Sequence, residues 1–479
     1  MAQSTAMRTT PSALARYHEA VARTDALIER ANTPEGKSPR EIRDRAVLRM
    51  ERVRRFLDLL GNPHRGYPIV HVGGTSGKGS TSTAIAAILT AAGYRTGLHT
   101  SPYLQAASEK LQIDGRLIGP DDFADLVDTA MRAHERWQAA GGERLTYGEI
   151  WIALLALSFT RERVDVAVIE VGAGGRFDLT NVVQPTVSVV TTVGLDHTVT
   201  LGGTIPEIAW HKAGIIKAGA PAVTAVSDAS ALKIIQAEAN RAGVPLIHVA
   251  AGETFETLPP AGGRTRWRER RRGAEPGPVL TAPPGGYQSV NAATAVAAIR
   301  ALPSDILRVP EDAIARGLAT TRIPGRFETV QEHPRVILDG AHNPEKVAAL
   351  VTDLSARSDL TGKRLIVVVG VVEAKQHAEM VGLLVPYADS LVVTLAKVLA
   401  KPGTDASVLA DEARAAGFTG PLAVESDAKA ALDVALRWAE HAPESVILVT
   451  GSLYLVGNVR SRWYPDDAIV LQRTPWPTG

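Results

Sequence analysis

The sequence predicts an α/β protein of two parallel-sheet domains, the second smaller than the first. Three observations lead there. Short Val- and Ile-rich runs alternate with helical stretches from residue 67 onward, the pattern of strands buried on both faces. PP, GG, PGP and PPGG break the alternation over residues 260–286, and it restarts after IPGRF at 323–327. A chain of 479 residues, 45% hydrophobic, is too long for one ordinary core.

Residues 1–10 read as a loose polar tail, and 11–32 and 39–60 as helices. In the second helix Ile42, Ala46, Met50, Val53, Leu57 and Leu60 recur at spacings of three and four, before GNP at 61–63 stops it. Strands are predicted at 67–72, 164–171, 185–193, 221–226 and 245–249, with helices over 81–92 and 229–242. In the second half they are predicted at 335–340, 364–370, 390–395, 421–426 and 445–451. The basic run RTRWRERRR (264–272) reads either as an anion patch or, preferably, as a solvated loop or hairpin tip.

Composition removes several function classes. A net charge of +1 gives no electrostatic case for a nucleic-acid partner. The absence of cysteine excludes disulfides, zinc–thiolate sites, iron–sulfur clusters and cysteine nucleophiles. The N-terminus lacks a signal-peptide core, and no run of about 18 apolar residues offers a membrane span. The expectation is a cytoplasmic, monomeric enzyme acting on small molecules, with no membrane partner.

The strand ending at Val72 runs into GGTSGKGS (73–80) and then a helix. Glycines there let backbone N–H groups turn inward onto phosphate, and the helix N-terminus adds partial positive charge. Gly77, Lys78, Gly79 and Ser80 are the candidate nucleotide ligands, with Lys78 reaching the β- and γ-phosphates. The loop departs from G-x-x-x-x-G-K-[ST]: Val72 stands where the first Gly belongs, and Gly79 displaces the hydroxyl to Ser80. The fold expected is thus a P-loop parallel-sheet ATPase domain over 1–322 plus a smaller Rossmann-like α/β C-terminal domain over 323–479.

Further segments carry chemistry. Thr100-Ser101-Pro102-Tyr103 follows a short strand at 94–99, and in isolation reads as turn chemistry. VIEVGAGGRFDLTN (168–181) sets Glu170 at the C-terminal edge of a buried strand, where open α/β sheets bind ligands and a carboxylate can hold Mg²⁺. Asp196 and His197 follow another strand and suit metal or phosphate work. Lys212 lies in a small apolar context; a lysine of depressed pKa can capture CO₂ as a carbamate, a carboxylate-like metal ligand. Arg326, near the expected domain joint, can pair bidentately with phosphate oxygens.

The loop G-T-S-G-K-G-S resembles the variant phosphate loop of the Mur ligases and folylpolyglutamate synthases, and its Lys-Gly-Ser ending is similar to the folate branch. TSPY with SEKLQIDG (108–115) resembles T-S-P-H-L with E-R-I-x-x-x-G; IAWHKAGIIKAG (208–219) resembles E-K-A-G-I-I-K; GGYQSVNAATA (285–295) resembles H-Q-x-x-N-A-x-x-A. LDGAHNP (338–344) and TGSLYLVGNVR (450–460) complete the series in the family's order, while G-x-x-x-D-K-D is degraded to GVVEAKQ (370–376). Over roughly 40–460 the chain is identified as a member of the folylpolyglutamate synthase family, of the type that is also a dihydrofolate synthase.

The resemblance implies an ATP-dependent acid–amino-acid ligase joining L-glutamate to dihydropteroate or a reduced folate through an acyl phosphate. It implies Mg²⁺, at one or two sites, on Ser101, Glu170, His197 and a carbamylated Lys212; Lys78, His197 and Lys212 are the catalytic candidates. Nucleotide is assigned to the phosphate loop, Asn291, Arg326 and Asp339, and the glutamate side to His342. A pterate pocket is implied on Leu48, Arg49 and Met50, on Thr146, Tyr147, Gly148 and Glu149, and on Phe177 and Asp178. Alternatives are a folylpolyglutamate synthase alone, a Mur-type ligase, and a nucleotide-gated binding module. The Mur reading calls for a separate N-terminal UDP-binding domain where helices are predicted. The binding module leaves Glu170, His197 and Lys212 without a task.

Overall fold

A computed structural model describes residues 12–28, 38–270, 273, 275–397 and 402–478. The expected tail at 1–10, the end of the helix predicted to reach 32, and positions 271–272 of the basic run lie outside them.

Helices α1 (Ala13–Asp25) and α2 (Pro39–Leu59) come first. Ser38 opens α2 with a reciprocal capping box to Glu41, and the helix buries Met50, Val53 and Leu57 as its periodicity predicts. The first sheet contains β1 (Ile69–Gly73), β2 (Thr96–His99), β3 (Gln112–Ile113), β4 (Arg116–Leu117), β5 (Val166–Glu170), β6 (Val187–Val190), β7 (Ala222–Thr224) and β8 (Leu246–His248). Their order is β4-β3-β2-β5-β1-β6-β7-β8, and all run parallel except β3, which is antiparallel to both β2 and β4. Helices α3 (Lys78–Ala91), α4 (Pro120–Ala139), α5 (Tyr147–Arg161), α6 (Thr198–Leu201), α7 (Ile205–Ala213) and α8 (Ala229–Ala242) belong to this half. β1 and β5 are buried along their whole length, as expected for strands covered on both faces.

The Pro- and Gly-rich break is not a plain loop. β9 (Phe255–Ala261), β10 (Arg264–Glu269) and β11 (Leu280–Ala282) form a three-stranded antiparallel sheet with β10 at its centre. Thr265 and Trp267 alternate inward, so the basic run reads as period-two strand chemistry. Arg264 donates to the Leu318 carbonyl (2.8 Å) and Arg270 to that of Gly252 (2.6 Å), which ties these cations to the fold.

Helices α9 (Gln288–Arg300) and α10 (Glu311–Thr320) pack with α3 before the chain enters the second sheet. That sheet contains β12 (Glu328–Glu332), β13 (Arg335–Leu338), β14 (Leu365–Val369), β15 (Ser390–Val393), β16 (Leu422–Val424) and β17 (Val446–Thr450), in the order β12-β13-β17-β14-β15-β16. β12 is the antiparallel edge and the rest run parallel. Helices α11 (Pro344–Ala356), α12 (His377–Leu384), α13 (Ala406–Ala415), α14 (Ala428–Glu440) and α15 (Leu453–Arg460) accompany it. The last helix, α16 (Asp466–Gln472), returns to the first half: Ile469 and Val470 join the core that holds Tyr17 and Phe123, and the Leu117 amide donates to the Arg473 carbonyl (3.0 Å). Among the described residues no helix is long and apolar enough to cross a membrane.

Candidate active site

The carboxyl edges of the two parallel sheets meet at a cavity of about 620 Å³. Loops after β1, β2, β5 and β6 supply Thr75, Lys78, Ser80, Ser101, Glu170, Asp196 and His197; the other half supplies Arg326, His342, Lys346 and Leu453. Ligands of open α/β sheets bind at such edges.

The phosphate loop takes its shape from its glycines and from β6. Gly77 caps α3 at φ +82°, and a Cβ there would lie 2.2 Å from Asn291 Oδ1. At Gly74, φ +142°, a Cβ would lie 1.9 Å from Thr191 Oγ1. The Thr75 amide donates to the Thr192 carbonyl (2.8 Å) and the Ser76 amide to Thr192 Oγ1 (2.9 Å), which fixes the loop against the end of β6. Lys78 Nζ donates to the Gly74 carbonyl (3.2 Å). The α3 N-terminus and this ammonium make the loop an anion site.

Glu170 ends β5 beside the loop. Its Oε2 accepts the Ser101 amide (3.0 Å), and a Cβ on Gly79 would lie 3.4 Å from the same oxygen. Burial pushes the Glu170 carboxyl up, while the Lys78 ammonium pulls it down. The Ser101 amide is its one hydrogen-bond donor among the described residues. Beside the Ser101 hydroxyl, this carboxylate fits a hard cation that takes its other ligands from phosphate and water. No group of three or more His, Asp and Glu poised to hold a metal occurs among the described residues.

His197, at φ +53°, precedes α6 and sits exposed at the cavity wall. Asp196 behind it is buried and pairs with Lys375 of the second half at 2.5 Å. Lys212, on the last turn of α7, is buried, and its ammonium has no hydrogen-bond partner among the described residues. Burial, then the charge of Lys78, pushes it down to about 7. It stands behind the cavity wall rather than on it, close enough for its charge to act on His197.

Across the joint, Arg326 lines the cavity against Gly340, where a Cβ would lie 2.7 Å from Nη1. His342 Nδ1 bonds the Gly340 carbonyl (2.8 Å), and its Nε2 meets Lys346 Nζ (2.9 Å). Two candidates are brought near without lining the cavity. Asn291 is buried beneath the phosphate loop, with Nδ2 donating to Gln288 (3.1 Å). Asp339 is buried, and its oxygens accept the Phe327 amide (2.8 Å), the Ala341 amide (2.8 Å) and the Tyr287 hydroxyl (3.3 Å).

The pterate candidates gather only in part. Arg49 Nη2 donates to Thr146 Oγ1 (3.0 Å) and lies 3.4 Å from where a Cβ of Gly148 would be. Glu149 caps α5 through Thr146 and pairs with Arg52 (2.9 Å). Met50 is buried and Leu48 is exposed. Phe177 packs on Trp210 and His211, and Asp178 caps the turn at Thr180. Of these residues Tyr147 lines a second cavity, of about 550 Å³, that adjoins the first through Ser101, Pro102 and Leu104, and the others line neither of the two. Tyr103, Tyr454, Asp25 and Lys110 also line it. The Lys110 ammonium sits 3.7 Å from the Trp151 ring centroid and 5.0 Å from that of Tyr147. Burial pushes this ammonium down to about 7.

Sequence reasoning missed Lys346, Lys375 as a partner of Asp196, and the Tyr103–Lys110–Tyr454 wall. It also missed Trp476, which returns with the tail to line the first cavity. Lys346 had one available signal, a cation in the first turn of a helix.

Comparisons with known proteins agree with this geometry. The Mur ligase middle domain family matches residues 72–298, and the Mur ligase, glutamate ligase domain family matches 325–453. The dihydrofolate synthase/folylpolyglutamate synthase of Bacillus subtilis is 34% identical over 86% of this chain and 94% of its own. The probable bifunctional folylpolyglutamate synthase/dihydropteroate synthase of Haloferax volcanii is 38% identical over 86% of this chain, and the chain spans about half, 48%, of that relative's length. The Mycobacterium tuberculosis folylpolyglutamate synthase complexed with ADP superposes with a TM-score of 0.81 at 29% identity, covering 95% of this chain and 99% of that one. The chain belongs to the dihydrofolate synthase/folylpolyglutamate synthase family of Mur-type ligases.

Proposed function

We propose that the chain is an ATP-dependent ligase that adds L-glutamate to dihydropteroate, giving dihydrofolate, and to reduced folates, giving folylpolyglutamates. One observation carries the reading: a phosphate loop flanked by Ser101 and Glu170 faces Arg326 and His342 across a single cavity. A carboxylate is a poor acyl donor because oxide would have to leave. Transfer of the γ-phosphoryl group of ATP to that carboxylate makes phosphate the leaving group. The amine of glutamate then attacks the acyl carbon; the C–N bond forms, the C–O bond to phosphate breaks, and ADP, phosphate and an amide result. Lys78 and the α3 N-terminus neutralise charge on the transferring group. Arg326 faces it from the second half, and closure of the joint excludes the water that would hydrolyse the acyl phosphate.

Ser101 and Glu170 would hold Mg²⁺, which supplies charge neutralisation on phosphoryl oxygens. His197 and a carbamylated Lys212 would hold a second ion; the isolated, buried Lys212 ammonium suits that modification. We assign residues 1–322 to an ATP-binding domain and 323–479 to a glutamate-ligase domain that adds Arg326 and Asp339 to the nucleotide site. The second cavity, with three tyrosines and a stacked lysine, suits the aromatic body of the pterin substrate, since Ser101 joins it to the phosphate loop. We place the protein in the cytoplasm as a monomer.

Arg49 favours a narrower second reading. It fills the space between Thr146 and Gly148 that the implied pterate pocket needs, so a folylpolyglutamate synthase alone is the alternative. Incubation with ATP, glutamate and either dihydropteroate, tetrahydrofolate or a UDP-muramyl acceptor separates the readings. Phosphate release with both pterins is expected. Release with tetrahydrofolate alone selects the narrower reading; release with the muramyl acceptor alone, or with none, overturns both.

A further inference from the structure

Lys346 is the third residue of α11, and its amide is capped by Asn343 Oδ1 at 2.9 Å. A cation in a helix's first turn opposes the helix dipole. The charges of Lys78, Arg326 and Lys375 also oppose it. Two carboxylates act in its favour, but Asp196 is already paired with Lys375 and the Glu170 carboxylate is drawn more strongly to Lys78. Burial and these cations push the Lys346 ammonium down to about 7. The fold therefore holds a lysine where its charge is poorly matched by its own surroundings.

Its hydrogen bonding is as one-sided. Its single partner among the described residues is His342 Nε2, at 2.9 Å. The other ring nitrogen, Nδ1, lies 2.8 Å from the Gly340 carbonyl, which can only accept. Nδ1 thus carries the proton, Nε2 accepts from Lys346, and the imidazole is neutral in one tautomer. Two of the three Lys346 donors remain, on a side chain that lines the cavity.

A cation in this position is stabilised by an anion that enters. The phosphates of ATP are met from the first sheet by the loop amides and Lys78. Lys346 stands on the first turn of α11 beside His342, on the face of the cavity that the second half supplies, where the amino acid must enter if the nucleotide occupies the phosphate loop. We infer that Lys346 grips the side-chain carboxylate of the incoming acidic amino acid and so makes the site selective for a dicarboxylic substrate. The inference rests on the ligase reading above.

The test is steady-state kinetics of the full chain with ATP, a reduced folate and varied amino acid. In K346M the KM for L-glutamate is expected to rise about tenfold or more, while the KM values for ATP and folate stay within about twofold. The preference for L-glutamate over L-glutamine is expected to collapse. K346R should recover much of both, because it keeps the charge. K346Q keeps a donor for His342 without the charge and is expected to bind ADP as the wild type does, read by thermal shift, while showing the glutamate-specific loss. An unchanged glutamate KM in K346Q or K346M, or an equal rise for ATP with selectivity over glutamine intact, overturns the inference. A wild type that releases no phosphate with glutamate overturns the ligase reading instead.

Discussion

Lys375 Nζ lies 2.5 Å from Asp196 Oδ1, an ion pair between residues 179 positions apart that joins the carboxyl edges of the two sheets. Asp196 is the neighbour of His197, so the pair holds the second half against the loop that carries a candidate metal ligand. K375M and D196N are each expected to lower kcat/KM about tenfold. The double variant should lose little more, giving a coupling energy of about 1–3 kcal/mol in a double-mutant cycle. Additive losses would show that the two residues act separately.

The same pair has a pH signature. Burial alone would raise the Asp196 carboxyl, but the Lys375 and His197 charges hold it well below the usual range. A depressed folded-state pKa contributes stability above the unfolded value, about 4 for Asp. That contribution is lost as pH falls through the depressed folded value. K375M should therefore flatten the acid limb of stability below about pH 4, measured by denaturant unfolding.

Gly77 and Gly79 flank Lys78 but face different neighbours. A Cβ at Gly77 meets Asn291 Oδ1 at 2.2 Å with φ at +82°, whereas at Gly79 the nearest atom is 3.4 Å away. The left-handed backbone alone costs an alanine about 1–2 kcal/mol. G77A should abolish the ADP-induced thermal shift, and G79A should largely keep it. Equal shifts in both would mean that loop shape is not what binds the nucleotide.

Lys212 is the candidate for carbamylation, and its ammonium is pushed down to about 7. The free base that reacts with CO₂ is then available above pH 7 and lost below it, so activity should fall on the acid side. Depleting CO₂ should lower the rate and bicarbonate should restore it. K212A should be inactive, with partial rescue by a short carboxylate. Indifference to CO₂ would remove the carbamate.

Arg460 is fully buried and holds Glu328 with two hydrogen bonds of 2.8 Å, while the Trp476 indole donates to Glu328 (2.7 Å) and Gln105 takes the guanidinium's Nη1 (2.7 Å). Removing one partner of such a pair leaves a buried charge uncompensated, at a cost of about 3–5 kcal/mol. R460M should show that loss in denaturant unfolding, and a change below about 1 kcal/mol would refute it.

The sequence made most of the fold legible, because the parallel strands are Val- and Ile-rich runs and the helix predicted over 229–242 is α8 (Ala229–Ala242). β10 was hidden because its outward positions are arginines, so charge masked a strand whose inward residues are Thr265 and Trp267. β12, an edge strand reading ETVQE, carries too little apolar signal to be found. At the site, Lys78, Ser101, Glu170, His197, Arg326 and His342 were legible because each sits in a motif at a strand end, and the structure brings them to one cavity. Lys346 and Lys375 were not, because their roles come from the approach of two sheets and not from local spacing. Asp178 and Glu149 were read as substrate ligands, yet their oxygens serve turns and helix caps. Acidic residues do both tasks in similar local sequence.

The tail that carries α16 back onto α1 means that the polypeptide passes between the two halves twice, once before β12 and once after α15. A single strand of linker would let one half swivel about any direction. Two crossings restrict how one half can turn against the other more than a single linker would. Trp476 draws the two crossings together: its ring lies under the Arg322 guanidinium and its indole N–H donates to Glu328, both beside the first crossing.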